Sequence, residues 1–154
     1  MRKGIAIFFT IFISMIACQK TSTKSPIPKI SFTSLTPNEV IAGKESKIYL
    51  RFDFEDGDGD LSFDPVDSNN IYIKDLRDSV YVPYKFPIIP PEDNPEKGLA
   101  GECIIELNAA FFNIRSDSFH QVEGKDTTMF EFYMEDKAKN KSNVEKSSPL
   151  YLFK

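Results

Sequence analysis

Seven carboxylates lie between residues 53 and 67 of this chain, and no Lys or Arg lies among them. They are Asp53, Glu55, Asp56, Asp58, Asp60, Asp64 and Asp67. Like charges this close together repel, so a folded chain keeps such a run either by spreading it into water or by closing it around a cation. From residue 56 to residue 60 Asp alternates with Gly, which places short acidic side chains on a backbone that can bend tightly. This spacing predicts a calcium loop, and a solvated acidic turn is the alternative.

The spacing of these acids differs from that of an EF-hand. Asp56, Asp58 and Asp60 would fill ligand positions one, three and five of the EF-hand loop. That loop has Gly at its sixth position, where this chain has Leu61. Asp67 would also have to replace the Glu that closes the loop. The sequence therefore indicates a calcium loop of another kind.

The other reactive side chains predict no catalytic site. His120 is the single histidine, and its neighbours in sequence do not make a triad, which needs groups from separate elements. Cys103 alternates into an apolar strand face, which fits a small buried hydrophobic residue better than a nucleophile. Paired carboxylates of a glycosidase lie across a cleft, and a single small domain has no evident cleft. We therefore expect a protein that is not an enzyme.

The N-terminus has the pattern of an export signal. A basic start, Met-Arg-Lys, precedes an apolar run over residues 5–17 that only Thr10 and Ser14 interrupt. This run is too short for a comfortable membrane span, which needs about 20 residues, but it fits a secretory signal peptide. Cys18 directly follows Ala17, and this arrangement resembles a bacterial lipoprotein signal, in which the cysteine is lipidated and becomes the mature N-terminus. An ordinary signal peptide is the alternative.

The resemblance to lipoproteins implies a lipid anchor and a location in the cell. Residues 1–17 would be the signal peptide, and Cys18 would carry the lipid that attaches the protein to a membrane. Gln19 follows the cysteine, where inner-membrane lipoproteins of this type have Asp, so the outer membrane is the expected location. Residues 18–29 are polar and contain Pro, which predicts a flexible tether. The tether carries lysines and no acid, whereas some surface-exposed relatives carry an acidic export signal, so we expect the domain to face the periplasm.

The composition of the mature chain excludes several partners. Removal of residues 1–17 leaves 137 residues with 17 basic and 23 acidic side chains, a net charge of −6. This balance argues against nucleic acid and against electrostatic docking onto anionic membranes. The two cysteines are Cys18 and Cys103, so we expect no internal disulfide, and a chain of this length can bury enough apolar surface without one.

The periodicity from residue 30 onward is that of β-strands. Apolar and polar side chains alternate most clearly over residues 47–55. The segments with strand character are 30–35, 47–55, 71–76, 80–86, 102–107, 129–135 and 150–153. Pro and turn-forming residues separate them, and no segment sustains a helical periodicity. About seven short strands predict an all-β fold, an immunoglobulin-like antiparallel β-sandwich that forms one domain over residues 30–154.

Two motifs resemble those of a known group of proteins. Residues 51–61, Arg-Phe-Asp-Phe-Glu-Asp-Gly-Asp-Gly-Asp-Leu, resemble the second strand of Ig-like, cadherin-like domains of Bacteroidetes lipoproteins, where a Phe-rich strand runs directly into an Asp-Gly-Asp-Gly-Asp loop. Residues 136–142, Asp-Lys-Ala-Lys-Asn-Lys-Ser, resemble the Asp-x-Ala-Gly-Asn-x-Ser turn between the last two long strands of those domains. Lys139 stands where that turn usually has Gly, so the backbone there is expected to differ.

The resemblance gives the acidic loop a set of neighbours. In an immunoglobulin-type sandwich the loop after the second strand and the loop between the sixth and seventh strands lie at the same end. A cation held between these loops would pin them together and neutralise the acidic tip. The expected metal ligands are Asp56, Asp58 and Asp60 on the first loop, with Asp136 and Asn140 on the second.

Two classes of function agree with these features. The first is a non-catalytic, lipid-anchored module of the cell envelope, stabilised by calcium, that binds a protein or glycan partner. The second is a small carbohydrate-binding accessory lipoprotein of a polysaccharide-uptake system, for which an exposed row of aromatic side chains on one sheet face would be the evidence. The aromatic candidates for such a row are Tyr72, Tyr81, Tyr84, Phe86 and Phe119.

Overall fold

The chain folds almost entirely into β-strands. The computed structural model describes residues 24–44, 47–61, 70–86, 98–107, 111, 113–114 and 124–154. Their strands are β1 (Lys29–Thr36), β2 (Glu39–Ile41), β3 (Tyr49–Asp56), β4 (Ile71–Asp75), β5 (Val82–Tyr84), β6 (Leu99–Glu106), β7 (Lys125–Thr128), β8 (Phe130–Met134), β9 (Glu145–Lys146) and β10 (Leu150–Phe153). The described part of the chain contains no helix long and apolar enough to span a membrane. The predicted signal peptide, Cys18, Asp64, Asp67, Phe119 and His120 lie outside these residues.

The strands form the two layers of an immunoglobulin-like sandwich, as the sequence predicts. One layer is the antiparallel sheet β1-β3-β6, and the other contains the sheets β5-β4-β8-β9 and β2-β10-β7. The chain passes directly from one of these two sheets to the other, because only Met129 separates β7 from β8. The order places the first strand beside the second long strand, β3, and β4 beside β8, as in immunoglobulin domains.

The hydrophobic core lies between the layers and follows the alternation in the sequence. Every second side chain of β3 and of β8 is buried, and the polar residues between them face outward. Phe52 of β3 and Phe132 of β8 are fully buried, and their ring centroids lie 5.3 Å apart. Phe32 of β1 also contacts Phe132, with ring centroids 6.5 Å apart. The two layers are therefore joined by aromatic side chains that the period-two pattern places inside.

The strand prediction is confirmed for all seven segments, and the structure adds three short strands. The additional strands are β2, β7 and β9, of three, four and two residues. The first and last are too short to show a period. In β7 the buried side chains are Asp126 and Thr128, so its inward face is polar and the apolar alternation is missing. The pair of β10 with β2 is parallel, which departs from the purely antiparallel prediction.

Candidate metal centre

The acidic loop begins at the last residue of β3. Asp56 ends the strand facing inward and is completely buried, because the strand's alternation continues to its end. Asp58 is exposed and Asp60 is half-buried. Gly59 between them has a φ of 75°, a left-handed conformation that a residue with a Cβ atom adopts only at a cost. The Asp-Gly alternation therefore returns the chain sharply, so that every second side chain points to the same place.

The three aspartates converge on one point. One carboxylate oxygen from each of Asp56, Asp58 and Asp60 lies within 4.8 Å of the other two. Oxygen ligands of Ca²⁺ lie about 2.3 to 2.6 Å from the ion, so two of them can be up to about 5 Å apart around the same ion. The separations in this cluster agree with that limit. The cluster is thus able to hold a metal ion by its carboxylates.

Three buried carboxylate oxygens of this cluster have no hydrogen-bond partner among the described residues. This holds for both side-chain oxygens of Asp56 and for Oδ1 of Asp60. Burying a charged carboxylate without a partner costs several kcal/mol, so a protein rarely leaves one unless an ion completes it. The donor set consists of oxygens, which hard cations such as Ca²⁺ prefer. The residues present therefore fit a metal ion on grounds of both geometry and unmet hydrogen bonding.

The same surroundings shift the pKa values upward. Burial raises the pKa of Asp56 to about 7, and the charges of Asp58, Asp60 and Asp136 act in the same direction. The N–H of Asp60 partly opposes this rise, although it does not reach the geometry of a hydrogen bond. Burial and the charges of Asp136 and Asp58 also raise the pKa of Asp60, and the backbone N–H of Ala138 and the charge of Lys137 oppose that rise. These carboxylates therefore lie close together without enough nearby positive charge to balance their negative charges.

The second loop lies at the same end of the sandwich and supports the first. Asp136, which follows β8, is completely buried, and the N–H of Lys137 donates to the carbonyl oxygen of Asp60 over 3.3 Å. Both carboxylate oxygens of Asp136 accept hydrogen bonds from Asn140, one from its backbone N–H and one from its Nδ2, each at 2.7 Å. The structure therefore brings Asp136 near the three-aspartate cluster, while the Asn140 amide nitrogen faces Asp136.

Two residues that the sequence analysis did not select hold these loops in place. Asn70, which is buried, donates from Nδ2 to the carbonyl of Leu61 over 2.7 Å and accepts from the N–H of Phe86 over 2.9 Å. Gly98 has a φ of 83°, and a Cβ atom there would lie 2.9 Å from the carbonyl oxygen of Asp56. An Asn before a strand and a Gly after a Pro-rich stretch are ordinary turn residues, so the sequence carried no sign of these contacts.

The opposite end of the sandwich contains a second group of buried carboxylates, and this one has an internal cation. Arg77 binds Asp75 and Asp126 at N–O distances of 2.6 Å, and both carboxylates are fully buried. The guanidinium also donates to the carbonyl oxygens of Phe111 and Asn113, at 2.8 and 3.0 Å. The Thr128 hydroxyl donates to Asp75 as well. In the Arg77 cluster, defined as Arg77, Asp75 and Asp126, one cation within the protein thus pairs with both buried carboxylates.

The remaining sequence candidates have ordinary surroundings. Burial raises the pKa of the Cys103 thiol to about 12, so it stays protonated and weakly nucleophilic at neutral pH. Among the aromatic candidates, Phe86 is buried in the core. Tyr72 lies on the outer face of the sheet and stacks on Tyr133, with ring centroids 4.9 Å apart and planes 18° apart. The rings of Tyr81 and Tyr133 are in an edge-to-face arrangement, with their centroids 5.1 Å apart.

Comparison with protein-family models, with curated proteins and with solved structures finds no match to this chain. Two features therefore point to a function: the geometry of the acidic loop and the pattern of the N-terminus. The first is a property of the folded domain, and the second is a property of the sequence alone.

Proposed function

We propose that this protein is a non-catalytic, lipid-anchored module of the bacterial cell envelope, whose immunoglobulin-like domain is stabilised by calcium and binds a protein or glycan partner. The observation that carries the proposal is the Asp56 carboxylate, buried without a hydrogen-bond partner among the described residues and joined by Asp58 and Asp60. Cys18 after the apolar run supports the anchor and an outer-membrane, periplasm-facing location.

Calcium is the cation that these ligands favour. The cluster offers carboxylate oxygens, whereas structural zinc sites draw on Cys and His. Magnesium keeps much of its water and demands a near-ideal octahedron at shorter distances, so we expect it to bind this loop less tightly than calcium. Asp136 and Asn140 belong to the proposed site as its second side. Asp136 would add negative charge beside the ion, and Asn140 would orient the Asp136 carboxylate.

Thermal unfolding of the purified protein tests the calcium site. A ligand that binds only the folded state stabilises it by about 2.7 kcal/mol when its free concentration is 100 times its dissociation constant. We expect Tm to rise with millimolar calcium, to fall again with a chelator, and to respond much less to magnesium. If sodium chloride at equal ionic strength reproduces the whole rise, the loop is a solvated acidic turn, because general screening then explains the effect.

A pair of variants, one inside the cluster and one outside it, makes this test specific. Asp58→Asn combined with Asp60→Asn should remove the calcium response and raise Tm in chelator, since repulsion around Asp56 is relieved. Asp53→Asn removes a charge from the same acidic run, but Asp53 is exposed on β3 outside the cluster. The Asp53 variant should keep the full calcium response. Loss of the response in both variants would show that total charge, and not the cluster, governs the effect.

The anchor has its own test. Metabolic labelling with a fatty-acid analogue should tag the wild-type protein, and Cys18→Ala should abolish the tag and release the protein from membranes. Continued labelling of the Cys18→Ala protein would rule out lipidation at this residue and leave the ordinary signal peptide as the explanation.

A carbohydrate-binding accessory role is the second candidate, and the tyrosines on the outer sheet face are its basis. Tyr72, Tyr81 and Tyr133 are half-buried and contact one another. The Nζ atom of Lys141 lies 3.6 Å from the centroid of Tyr133. Because these rings pack against each other, the ring faces that are in contact are not accessible to a sugar. Glycan-array binding that Tyr72→Ala abolishes would favour this role over the first, and retained binding would argue against a tyrosine platform.

A further inference from the structure

The acidic loop also contacts the chain segment that leads from the predicted tether into β1. We call residues 24–28 the strap. The N–H of Gly57 donates to the carbonyl oxygen of Ser25 over 2.9 Å, and Lys24 Nζ lies 2.9 Å from Glu55 Oε1. Gly57 stands between Asp56 and Asp58, so the hydrogen bond to the strap is made within the proposed cation loop itself. Residues that the sequence assigns to a free tether are thus attached to the loop.

The contact at Gly57 is too close for any other residue. A Cβ atom at Gly57 would lie 2.3 Å from the Ser25 carbonyl oxygen and 2.7 Å from that of Lys24. Contacts below about 3 Å are essentially forbidden to carbon atoms, so the strap backbone rests directly on the Gly57 backbone. From its other side the loop meets Gly98, whose absent Cβ would lie 2.9 Å from the Asp56 carbonyl oxygen. The loop therefore has little freedom to move without displacing the strap.

We propose that cation binding at the Asp56, Asp58 and Asp60 cluster controls whether the strap is docked on the domain. This inference rests on the proposed calcium site and adds a regulated contact to it. A bound cation fixes the side chains on both sides of Gly57, and this holds the Gly57 N–H toward Ser25. Without the cation the carboxylates repel one another, the loop opens and the hydrogen bond to the strap is lost. Coupling of this kind is reciprocal, so the docked strap strengthens cation binding by the same factor.

Strap docking would set the distance between the domain and its anchor. A released strap adds residues 24–28 to the predicted tether, and an extended chain spans at most about 3.3 to 3.6 Å per residue. Release therefore lengthens the reach of the domain by up to about 17 Å. At low calcium the module would extend farther from the lipid surface, and at high calcium it would be drawn closer and held in a more defined orientation.

Limited proteolysis with trypsin tests the coupling on the mature chain with its N-terminal segment intact. Trypsin cleaves after Lys24 inside the strap and after Lys20 upstream of it, so the second bond is an internal reference. We expect calcium to slow cleavage after Lys24 about tenfold relative to cleavage after Lys20, a coupling factor in the usual range. Calcium that raises Tm without changing this ratio would overturn the inference and leave the calcium site standing. Calcium that changes neither quantity would overturn both.

A pair of Gly variants separates the strap contact from general stability. Gly57→Ala forces the strap away, so cleavage after Lys24 should be fast with and without calcium. Gly101→Ala is the matched control on β6, where the added Cβ meets only the ring of Phe54 at 3.3 Å, and it should respond as the wild type does. Should Gly57→Ala fail to fold, hydrogen exchange of the Gly57 amide in the wild-type protein replaces it. That amide should exchange faster in chelator, and equal exchange with and without calcium would contradict the coupling.

Discussion

The two ends of β4 bury carboxylates in opposite ways. At the end where β4 finishes, Asp75 and Asp126 are fully buried and share Arg77, whose side chain is only 6% exposed. At the end where β4 begins, Asp56 is equally buried, but its oxygens have no partner among the described residues. The carboxylates of the Arg77 cluster therefore have a cation within the chain, whereas the acidic loop has none among the described residues, and we propose that it takes one from solution.

Because of this difference, we expect the stability of the two ends to depend differently on calcium and on salt. A buried ion pair with its own hydrogen bonds changes little with calcium or salt, because screening acts weakly on buried charges. A cluster that binds a cation from solution is stabilised by mass action, and this stabilisation is lost when the ion is removed. If the acidic loop binds calcium as we propose, the connection at its end of the sandwich is conditional, because it is stabilised only when calcium is present. The connection at the Arg77 end is permanent, because its cation belongs to the chain.

The largest effect should follow removal of the internal cation. Arg77→Met leaves Asp75 and Asp126 buried without a counter-charge, and breaking a buried ion pair in this way costs about 3 to 5 kcal/mol. Chemical denaturation should show this loss of unfolding free energy, and calcium should not restore it. Arg51→Met is the matched control, because Arg51 pairs with Glu102 on the exposed face. That pair should contribute less than about 1 kcal/mol.

The independence of the two ends can be measured with the same variant. β4 spans five residues, or about 16 Å, and sites farther apart than about 10 Å normally have additive effects. Arg77→Met combined with Asp58→Asn and Asp60→Asn should therefore change stability by the sum of the separate effects, within about 0.5 kcal/mol. A larger deviation would mean that the two ends act as one unit and that their division into a permanent and a conditional connection is wrong.

A smaller effect concerns pH in the cation-free protein. Unfolded Asp ionises near pH 4, whereas Asp56 in the folded domain holds its proton to about pH 7, the value to which its pKa is raised. Between these values the folded state binds more protons than the unfolded state, so stability falls as pH rises. From pH 5 to pH 7 the loss should be about 2 kcal/mol in chelator. Asp56→Asn should flatten this profile, and a wild-type profile that rises with pH would contradict the buried, unpaired state of Asp56.

The sequence predicted the conditional end better than the permanent one. The acidic run is contiguous and its Asp-Gly spacing is distinctive, so Asp56, Asp58 and Asp60 can be selected from the sequence alone. Asp75, Arg77 and Asp126 are spread over 52 positions and their neighbours are unremarkable, so only the folded arrangement of β4 and β7 brings them together. The strap was missed for a similar reason. Its hydrogen bond joins backbone atoms of Ser25 and Gly57, which leave no mark on side-chain composition, and its ion pair, between Lys24 and Glu55, joins residues 31 positions apart.

The smallest expected effect concerns the turn that supports the acidic loop. Lys139 has a φ of 68°, the left-handed conformation that the Gly of the resembling turn would adopt without cost. The Lys therefore keeps a Gly-like backbone, and Lys139→Gly should stabilise the domain by about 1 kcal/mol through relief of this strain. Lys139→Ala is the control, because it removes the same charge but keeps the Cβ atom that causes the strain. The Asp136 carboxylate is oriented by Asn140 and not by this side chain, so the gain should be equal in calcium and in chelator. A gain seen only in chelator would show that the Lys139 charge affects the cation site. The conditional end of the sandwich would then include this turn.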